Sequence, residues 1–378
     1  MGAFDGTNGP LLRAQFYVSG SFNNVETNDL RAVDIRRGRD RADQRFDAGS
    51  MTITLDNRSG IYDPDITTGP WVTSGVSNLK DGLRGRLVAN WNSTDYVLFD
   101  GYLSTTDVDA GFDATVTMTF VDGLAKLGKV DAPQLKSTSF SGETTSTRVG
   151  RMLTIAKWPT GSSWRSLTGS VKVTGTTQGA NILDIINECS LAEAGDFYLS
   201  RSGVATFVNL ANKFSRPTQL LFDDSRAANT VEYDELKTTP GTLQVKNRGV
   251  VTRGKLKTQS FTYTPSSNKY GVKTNQIEAP VLLDGTALKL ATYLARRDAS
   301  PKTHVNAVRF QALALGALYP DLLETELLDQ VTVKRTTVDG RNLTINSVVQ
   351  GIEHTIRPET WECTFSLSPL NPYRITLP

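Results

Sequence analysis

Histidine and cysteine are nearly missing from this sequence of 378 residues, which holds two of each. The histidines are His304 and His354, and no Gly-x-Ser-x-Gly segment supplies a serine nucleophile for either one. Zinc sites need cysteine and histidine at short spacing, whereas Cys189 and Cys363 lie far apart in the chain. We therefore predict no catalytic site, no metal site and no cofactor. The histidines are expected to be packed or on the surface, and the cysteines to be small buried hydrophobes.

Long apolar runs and a signal peptide are missing too. No window approaches the roughly 18 apolar residues that cross a membrane, and residues 1–16 lack the charged start and apolar stretch of a signal peptide. Charges of the two signs nearly cancel, because 41 Lys and Arg oppose 39 Asp and Glu. A formal net charge of +2 gives no strong basic field for nucleic acid. We expect neither a membrane nor a specific nucleic acid as partner, and the near balance is compatible with self-association.

One acidic run has the spacing of a calcium loop. Residues 107–113 (DVDAGFD) carry carboxylates at alternate positions, as calcium-binding loops do. The glutamate that would complete such a loop is missing at the expected spacing. The run also lies where a turn between two strands is needed, so the sequence favours a hairpin turn over a calcium site.

Short strands separated by turns are the commonest pattern that is present. Apolar and polar side chains alternate in these stretches, which places one face of each strand in a core. Turn residues such as Asp56-Asn57 and Asp100-Gly101 separate them. Residues 1–130 are therefore predicted to form one β-barrel or sandwich. The alternating stretches are residues 12–18, 51–55, 83–89, 96–103 and 114–121.

The middle of the chain, residues 131–230, predicts a smaller α+β unit. Residues 137–147 are rich in Ser and Thr without periodicity, which is typical of an exposed loop. Residues 181–194 have apolar side chains at helical spacing, and Gly195 is placed to end that helix in the left-handed conformation. Residues 197–208 read as a hairpin around a short turn.

The remaining part, residues 231–378, predicts a second β-barrel domain with one helix. The helix is expected over residues 286–297, with Asp284 or Thr286 as its N-cap. Asp339-Gly340 predicts a hairpin turn. The fold class is therefore mainly β with an α+β insert: two β-barrel domains plus a smaller inserted domain. The expected strands are near Val231 and Leu243 and at residues 305–310, 330–334, 343–350 and 360–367.

A cluster of charge occupies residues 31–45, with six arginines and three aspartates. Acids interleave with the arginines and no aromatic side chain occurs before Phe46, so a nucleic-acid arm is disfavoured. Guanidinium groups paired with carboxylates, within one subunit or between subunits, fit better. The candidate interface residues are Arg36, Arg37, Arg39, Arg41 and Arg45.

The same stretch carries a resemblance to minor tail proteins of siphophages that infect actinobacteria. The likeness covers both β-rich ends of the chain well and the middle loosely. Within it, Tyr62, Asp63 and Pro64 are expected to form a corner that determines the fold. The N-terminal segments are residues 34–40 (DIRRGRD), 43–49 (DQRFDAG), 51–58 (MTITLDNR), 62–64 (YDP), 99–102 (FDGY) and 120–125 (FVDGLA). The C-terminal segments are residues 349–356 (VQGIEHTI), Pro358, Trp361 and residues 367–369 (LSP).

The resemblance implies a hub of the tail tip or baseplate, with two tail-tube-like β-barrel domains in each subunit. Three subunits would present six barrels, so that a threefold tip could dock onto a sixfold tube. A ring also buries the long edges of alternating strands. The expected partners are two further copies in a homotrimer, the distal tail protein ring, the tape measure protein and other tail-tip proteins. The expected location is the tail tip of a virion assembled in the bacterial cytoplasm.

Three other functions stay open at this point. A hexameric distal tail protein would have one barrel per subunit. A carbohydrate-binding module could stack sugars on exposed Trp71, Trp91, Trp158 and Trp164, although tryptophans dispersed this widely favour core or interface positions. An enzyme that degrades the cell wall would need paired acids or a histidine-based site, for which the sequence offers poor material.

Overall fold

The computed structural model describes most of the chain, in eight continuous segments and three single residues. No helix within them is long and apolar enough to cross a membrane. The described residues are Phe4, Gly6, Leu377 and residues 9–109, 111–133, 140–175, 180–239, 245–254, 257–313, 315–337 and 339–370.

The N-terminal part is an antiparallel sheet with the strand order β2-β1-β7-β8-β9-β4-β3, beside a small β5–β6 ribbon. The five predicted alternating stretches correspond to β1, β4, β7, β8 and β9. A short 3-10 helix, Thr27–Asp29, precedes β3. The strands β1 to β9 are Leu11–Val18, Ser21–Asn24, Leu30–Gly38, Asp47–Asp56, Val72–Thr73, Val76–Ser77, Arg84–Trp91, Thr94–Asp109 and Thr115–Val121.

Alternation determines which face of this sheet is buried. Met51, Ile53 and Leu55 of β4 lie in the core, each no more than 1% exposed. Thr52 and Thr54 point to the other face. There the Thr52 hydroxyl lies 3.2 Å from the hydroxyl of its cross-strand neighbour on β9. Strands β8 and β9 pair as an antiparallel hairpin, in which Asp107 and Asp109 belong to the end of β8, and Ala110 lies outside the described residues.

The middle of the chain forms a separate α+β unit with its own apolar cluster. Its three strands have the order β10-β12-β11, and the predicted hairpin is confirmed as β11 and β12. The elements are α1 (Gly123–Leu127), α2 (Thr145–Ile155), β10 (Arg165–Leu167), α3 (Ile182–Glu193), β11 (Asp196–Leu199), β12 (Ala205–Val208) and α4 (Leu210–Phe214). The cluster is built mainly by α1, α2, α3 and the hairpin.

Two details of this unit correct the sequence predictions. The predicted loop at residues 137–147 runs into α2, whose N-cap is Thr144, and residues 137–139 lie outside the described part. Serine and threonine are favoured at N-caps and also occur in turns, so this start looked like loop sequence. At the end of α3 the left-handed residue is Ala194, with φ 48°, and not Gly195. The Gly195 N–H closes the helix by donating to the Ser190 carbonyl at 2.9 Å.

The C-terminal part contains the second large group of strands and a small sheet. The predicted helix is α6, which begins at Asp284 after Leu283, so neither predicted N-cap residue caps it. The expected strand at Val231 is a single bridge to Phe222, and Leu243 lies outside the described residues.

The strands β13 to β17 are Thr218–Asp223, Glu235–Thr239, Arg248–Thr252, Thr258–Thr262 and Thr274–Glu278. The strands β18 to β21 are His304–Gln311, Gln330–Thr336, Asn342–Arg357 and Thr360–Pro369. The helices are α5 (Thr264–Tyr270), α6 (Asp284–Arg297), α7 (Tyr319–Glu324) and the 3-10 turn Gly316–Leu318.

The long strand β20 joins the two β-rich parts edge to edge. Its first half pairs with β19, and its second half pairs antiparallel with β3, from Gly351 opposite Gly38 to Ile356 opposite Val33. On its other edge β20 pairs with β21 from Ser347 to Arg357. One apolar cluster therefore runs through both parts.

The predicted class, mainly β with an α+β insert, is confirmed. Among the described residues the strand ladder stays open and does not close into a barrel. The C-terminal strands have the order β13-β19-β20-β21-β18-β14, so that β13 and β14 are at the two ends of this set. Val231, which precedes β14 in the chain, forms an isolated bridge to β13 and so links the two ends. The division at residues 130 and 230 stays a prediction.

Candidate functional site

Two of the predicted arginines lie inside the molecule, at a junction between the N-terminal sheet, the insert and the C-terminal part. Arg37, at the end of β3, is 5% exposed. Its guanidinium group pairs with Glu326, which follows α7, and donates to the Leu199 carbonyl of β11 at 3.2 Å. One side chain thus binds both other parts of the chain.

Glu326 is held ionised in this largely buried position, where its side chain is 14% exposed. Burial alone would raise the pKa of its carboxyl group, but Arg37 and the N–H groups of Arg201 and Leu327 outweigh burial and lower the pKa. Both N–H donors lie 2.8 Å from carboxylate oxygens. A buried ion pair with its remaining lone pairs satisfied holds one geometry, because moving either partner leaves a charge unpaired.

Arg39 makes a second, parallel link. Its guanidinium group donates to Gln350 of β20 at 2.7 Å and to Asp196 of β11 at 2.8 Å, and it stacks on the Phe46 ring. Burial would raise the pKa of Asp196, but Arg39 and Lys213 lower it below its usual range. The two buried arginines therefore connect all three parts of the chain at neutral pH.

A further acid in this junction is perturbed in the opposite direction. Burial raises the pKa of Asp329 to about 6, although Arg216 lies 3.1 Å from its carboxylate. The Arg216 guanidinium group also donates to the Tyr198 hydroxyl at 2.7 Å. Asp329, Arg216 and Tyr198 are thus bound to one another, and no nucleophile lies beside a base among them. The junction is therefore suited to fixing the orientation of the parts of the chain.

The other three predicted arginines are exposed and paired within the chain. Arg36 lies 2.9 Å from Asp40, Arg41 lies 2.9 Å from Asp43 and Arg45 lies 3.1 Å from a carboxylate of α3. Exposed pairs of this kind contribute little to stability and can exchange partners. Whether any of the five arginines contacts another subunit stays a prediction, and these three are the accessible ones.

Sequence patterns missed the partners of the buried arginines. Asp196, Glu326 and Gln350 lie 157, 289 and 311 positions away from the arginines that they bind. Each is an acid or amide next to a strand or turn, which is also the ordinary place of a solvated side chain. The sequence signal that points to buried partners is the pair Arg37 and Arg39. These two arginines stand on either side of Gly38, at the end of a strand.

The Tyr62-Asp63-Pro64 corner is organised by Tyr62, which is fully buried. Its N–H donates to the Asn57 side chain at 2.9 Å, and its hydroxyl donates to Asp29 at 2.7 Å. Burial, followed by the bond to Asp29, raises the pKa of Tyr62. The corner thereby ties the end of β4 to the 3-10 helix before β3, and its role in determining the fold stays a prediction.

The two histidines do not form a reactive site. Trp361 donates to His354 Nδ1 at 3.2 Å, and the Cys363 sulfur lies 3.1 Å from the same nitrogen. Burial lowers the pKa of His354 to about 3 and raises the pKa of the Cys363 thiol. A nucleophilic cysteine needs the reverse, a lowered thiol pKa and a basic imidazole. His304 is also buried, and its pKa is lowered by burial.

The tryptophans are not available as a sugar-stacking surface. Trp71 and Trp158 are buried, and Trp71 packs edge-on against Phe16 with ring centroids 5.0 Å apart. Trp91 and Trp164 are half-buried, under Tyr319 and Arg84 respectively. The core positions that the dispersed tryptophans favour are therefore confirmed for Trp71 and Trp158, and none of the four rings is exposed, because the aromatic rings fill the spaces between strands and helices. No group of three or more metal-ligating side chains occurs in the described segments either.

Comparison with known proteins connects this architecture to a group of solved structures. No protein-family model and no curated protein matches the sequence. A tail protein from Neisseria meningitidis superposes with a TM-score of 0.62 over 95% of this chain and 96% of that one, at 11% identity. The 43 kDa tail protein of prophage MuSo2 from Shewanella oneidensis gives a TM-score of 0.56 over 94% of this chain and 98% of its own, at 10% identity. This chain has the fold of phage tail proteins.

A third solved structure has a related fold and does not come from a phage. It is a component of the type VI secretion system of E. coli that itself exhibits structural similarity to the T4 tail proteins gp27 and gp5. The TM-score is 0.51 at 12% identity, over 92% of this chain and 76% of that one. The resemblance to phage tail proteins that the motifs indicate is thus confirmed at the level of the fold.

Proposed function

We propose that this chain is a structural subunit of a phage tail tip, a ring-forming hub that closes the distal end of the tail tube and anchors tip proteins. The observation that carries the proposal is the match to tail proteins over nearly the whole of both chains. A match of this extent leaves little of the chain for an added enzymatic domain. The proposed partners are two further copies, the distal tail protein ring, the tape measure protein and other tip proteins.

The joint between β3 and β20 supports a hub over a distal tail protein with one barrel. It places two β-rich parts side by side in one chain, and the Arg37 and Arg39 links fix their relative orientation. A trimer of such chains has six β-rich parts around its axis, which suits a sixfold tube. The buried pairing of His354 and Cys363 favours a non-enzymatic role.

The native mass of the purified chain tests this proposal. We expect light scattering to give the mass of three subunits, and negative-stain images to show a ring with six lobes. A ring of six subunits would replace the hub with a distal tail protein. A monomer at every concentration would contradict a ring that forms by itself.

The exposed arginines supply a test of the ring interface. We expect Arg41→Glu with Arg45→Glu to weaken trimer formation about tenfold, because like charges would then face one another across the interface. The control is Arg226→Glu with Arg341→Glu, which also breaks two exposed local ion pairs. Sedimentation velocity compares the two variants. Equal trimer affinity in both would remove these arginines from the interface.

A further inference from the structure

The charge of the chain is distributed very unevenly, although it nearly cancels overall. Residues 245–299, which include β15, β16, β17, α5 and α6, contain ten lysines and arginines against three aspartates and glutamates. This basic unit has a formal charge of +7, while the whole chain has +2. The remainder is therefore acidic, and a balanced total conceals a strongly basic surface.

One face of the sheet in the basic unit is not covered by any described segment of the chain. Helix α6 packs on the other face, where Gly249 and Val251 are buried against Ala291 and its neighbours. Arg248, opposite Thr262 and Thr274, stands on the open face. The half-buried Val250 forms its centre. The remaining side chains of the open face are Thr252, Thr258, Ser260, Gln276 and Glu278, the only carboxylate among them.

Many cations of the basic unit form no ion pair within the described part of their own chain. Two of its arginines pair locally, Arg253 with Asp284 and Arg297 with Asp298. Six exposed cations have no carboxylate within 4 Å among the described residues, and their charge is therefore available to a partner. These are Lys246, Arg248, Lys257, Lys269, Lys273 and Lys289.

The complementary surface is the acidic hairpin, residues 104–109 and 111–114. It contains Asp107, Asp109 and Asp113 and no lysine or arginine. The Phe112 side chain at its tip is fully exposed, and Val108 is 42% exposed. Strand β7 pairs with β8 only as far as Tyr102, so beyond Leu103 this edge of β8 has no strand partner in the described structure.

In the sequence, the acidic hairpin and the basic unit are separated by β9, the insert and residues 231–244. Strand β9 leads from the hairpin, at Thr115, to the insert, which begins after Val121. Seven residues of strand span about 23 Å. The basic unit lies beyond the insert, which it contacts through the bridge between Val173 and Val281. Strand β9 and the insert thus connect the hairpin to the basic unit of its own chain.

We propose that the acidic hairpin of one copy docks on the open sheet face of the basic unit of a second copy. The inference rests on the proposed ring-forming function and identifies the surfaces that meet. The aspartates face Arg248 and the surrounding lysines, and Phe112 packs on Val250 as an apolar anchor. Different surfaces of the two copies meet, so the contact is head-to-tail and generates a ring when its rotation closes.

A charge exchange between the two surfaces tests the contact on the full chain. One variant carries Asp107→Lys and Asp113→Lys, and a second carries Arg248→Glu and Lys273→Glu. We expect each to weaken self-association about tenfold or more, and the chain that carries all four changes to associate within about threefold of the original. The control, Asp81→Lys with Glu359→Lys, alters two exposed acids outside the acidic hairpin and should associate normally.

Sedimentation velocity gives the association constants, and circular dichroism checks that each variant is folded. Phe112→Ser adds a readout without charge, and Val76→Ser is its control at another exposed apolar residue. We expect only the Phe112 change to weaken association. The affinity of the original chain should also fall as salt is raised from about 0.05 to about 0.5 M.

The possible outcomes separate this inference from the proposed function. A ring that forms equally well in both reversed variants would overturn the docking contact and leave the hub in place. Loss of association in each variant without recovery in the combined chain would overturn direct contact between the surfaces. A monomeric original chain would overturn both proposals. Binding of a labelled DNA duplex that Arg248→Glu and Lys273→Glu abolish, with the ring unchanged, would assign the face to a polyanion instead.

Discussion

Replacing Arg37 by methionine should lower the free energy of unfolding by about 3–5 kcal/mol, since it leaves a buried charge unpaired. Glu326 would keep two backbone N–H donors but lose the cation that offsets its burial. The Leu199 carbonyl would lose a donor as well. Urea denaturation followed by tryptophan fluorescence measures the change, because Trp361 is in the core that the two β-rich parts share.

Two further variants make this result specific to the buried pair. Arg45→Met removes an exposed arginine with one local partner, and we expect it to cost less than about 1 kcal/mol. Arg37→Met combined with Glu326→Gln should recover a substantial part of the loss, because no unpaired charge then remains. If Arg37→Met is no more costly than Arg45→Met, the junction does not hold the three parts of the chain together.

The strands could be predicted because their signal is local. Apolar and polar residues alternate with a period of two wherever one face of a strand is buried. Strand β4 shows this pattern in three apolar residues and two threonines. Helices α3 and α6 were found for the same reason, at the helical period. Helix α2 was missed because its N-terminal turn consists of serine and threonine, which resemble a loop.

The site was only half predictable because its partners are distant in sequence. The arginines stand out as a charged cluster, but nothing near them indicates that Arg37 and Arg39 are buried while Arg41 and Arg45 are exposed. Burial follows from the pairing of β3 with β20, which joins positions more than 300 residues apart. The basic unit is the opposite case. Its positive charge can be counted directly in the sequence, but the nearly neutral net charge of the whole chain conceals it.

The joint between β3 and β20 depends on Gly38, and Gly38→Ala should be among the most damaging single changes in the protein. Gly38 has φ +98°, and an added Cβ would lie 2.2 Å from the Gln350 carbonyl oxygen and 2.7 Å from the Gly351 Cα. Backbone atoms of a paired strand cannot move aside as a flexible side chain can. We expect a loss of about 3 kcal/mol or more, from the left-handed backbone and the clash together.

Gly60→Ala is the matched control for this change. Gly60 also has a positive φ, of +72°, but nothing lies within 4 Å of the position of its Cβ. Its cost should be about 1 kcal/mol, from the backbone conformation alone. The difference between the two variants in urea denaturation therefore measures the steric part at the joint. Equal losses would mean that β3 and β20 separate freely, and a hub that depends on two β-rich parts held in one orientation would lose its structural basis.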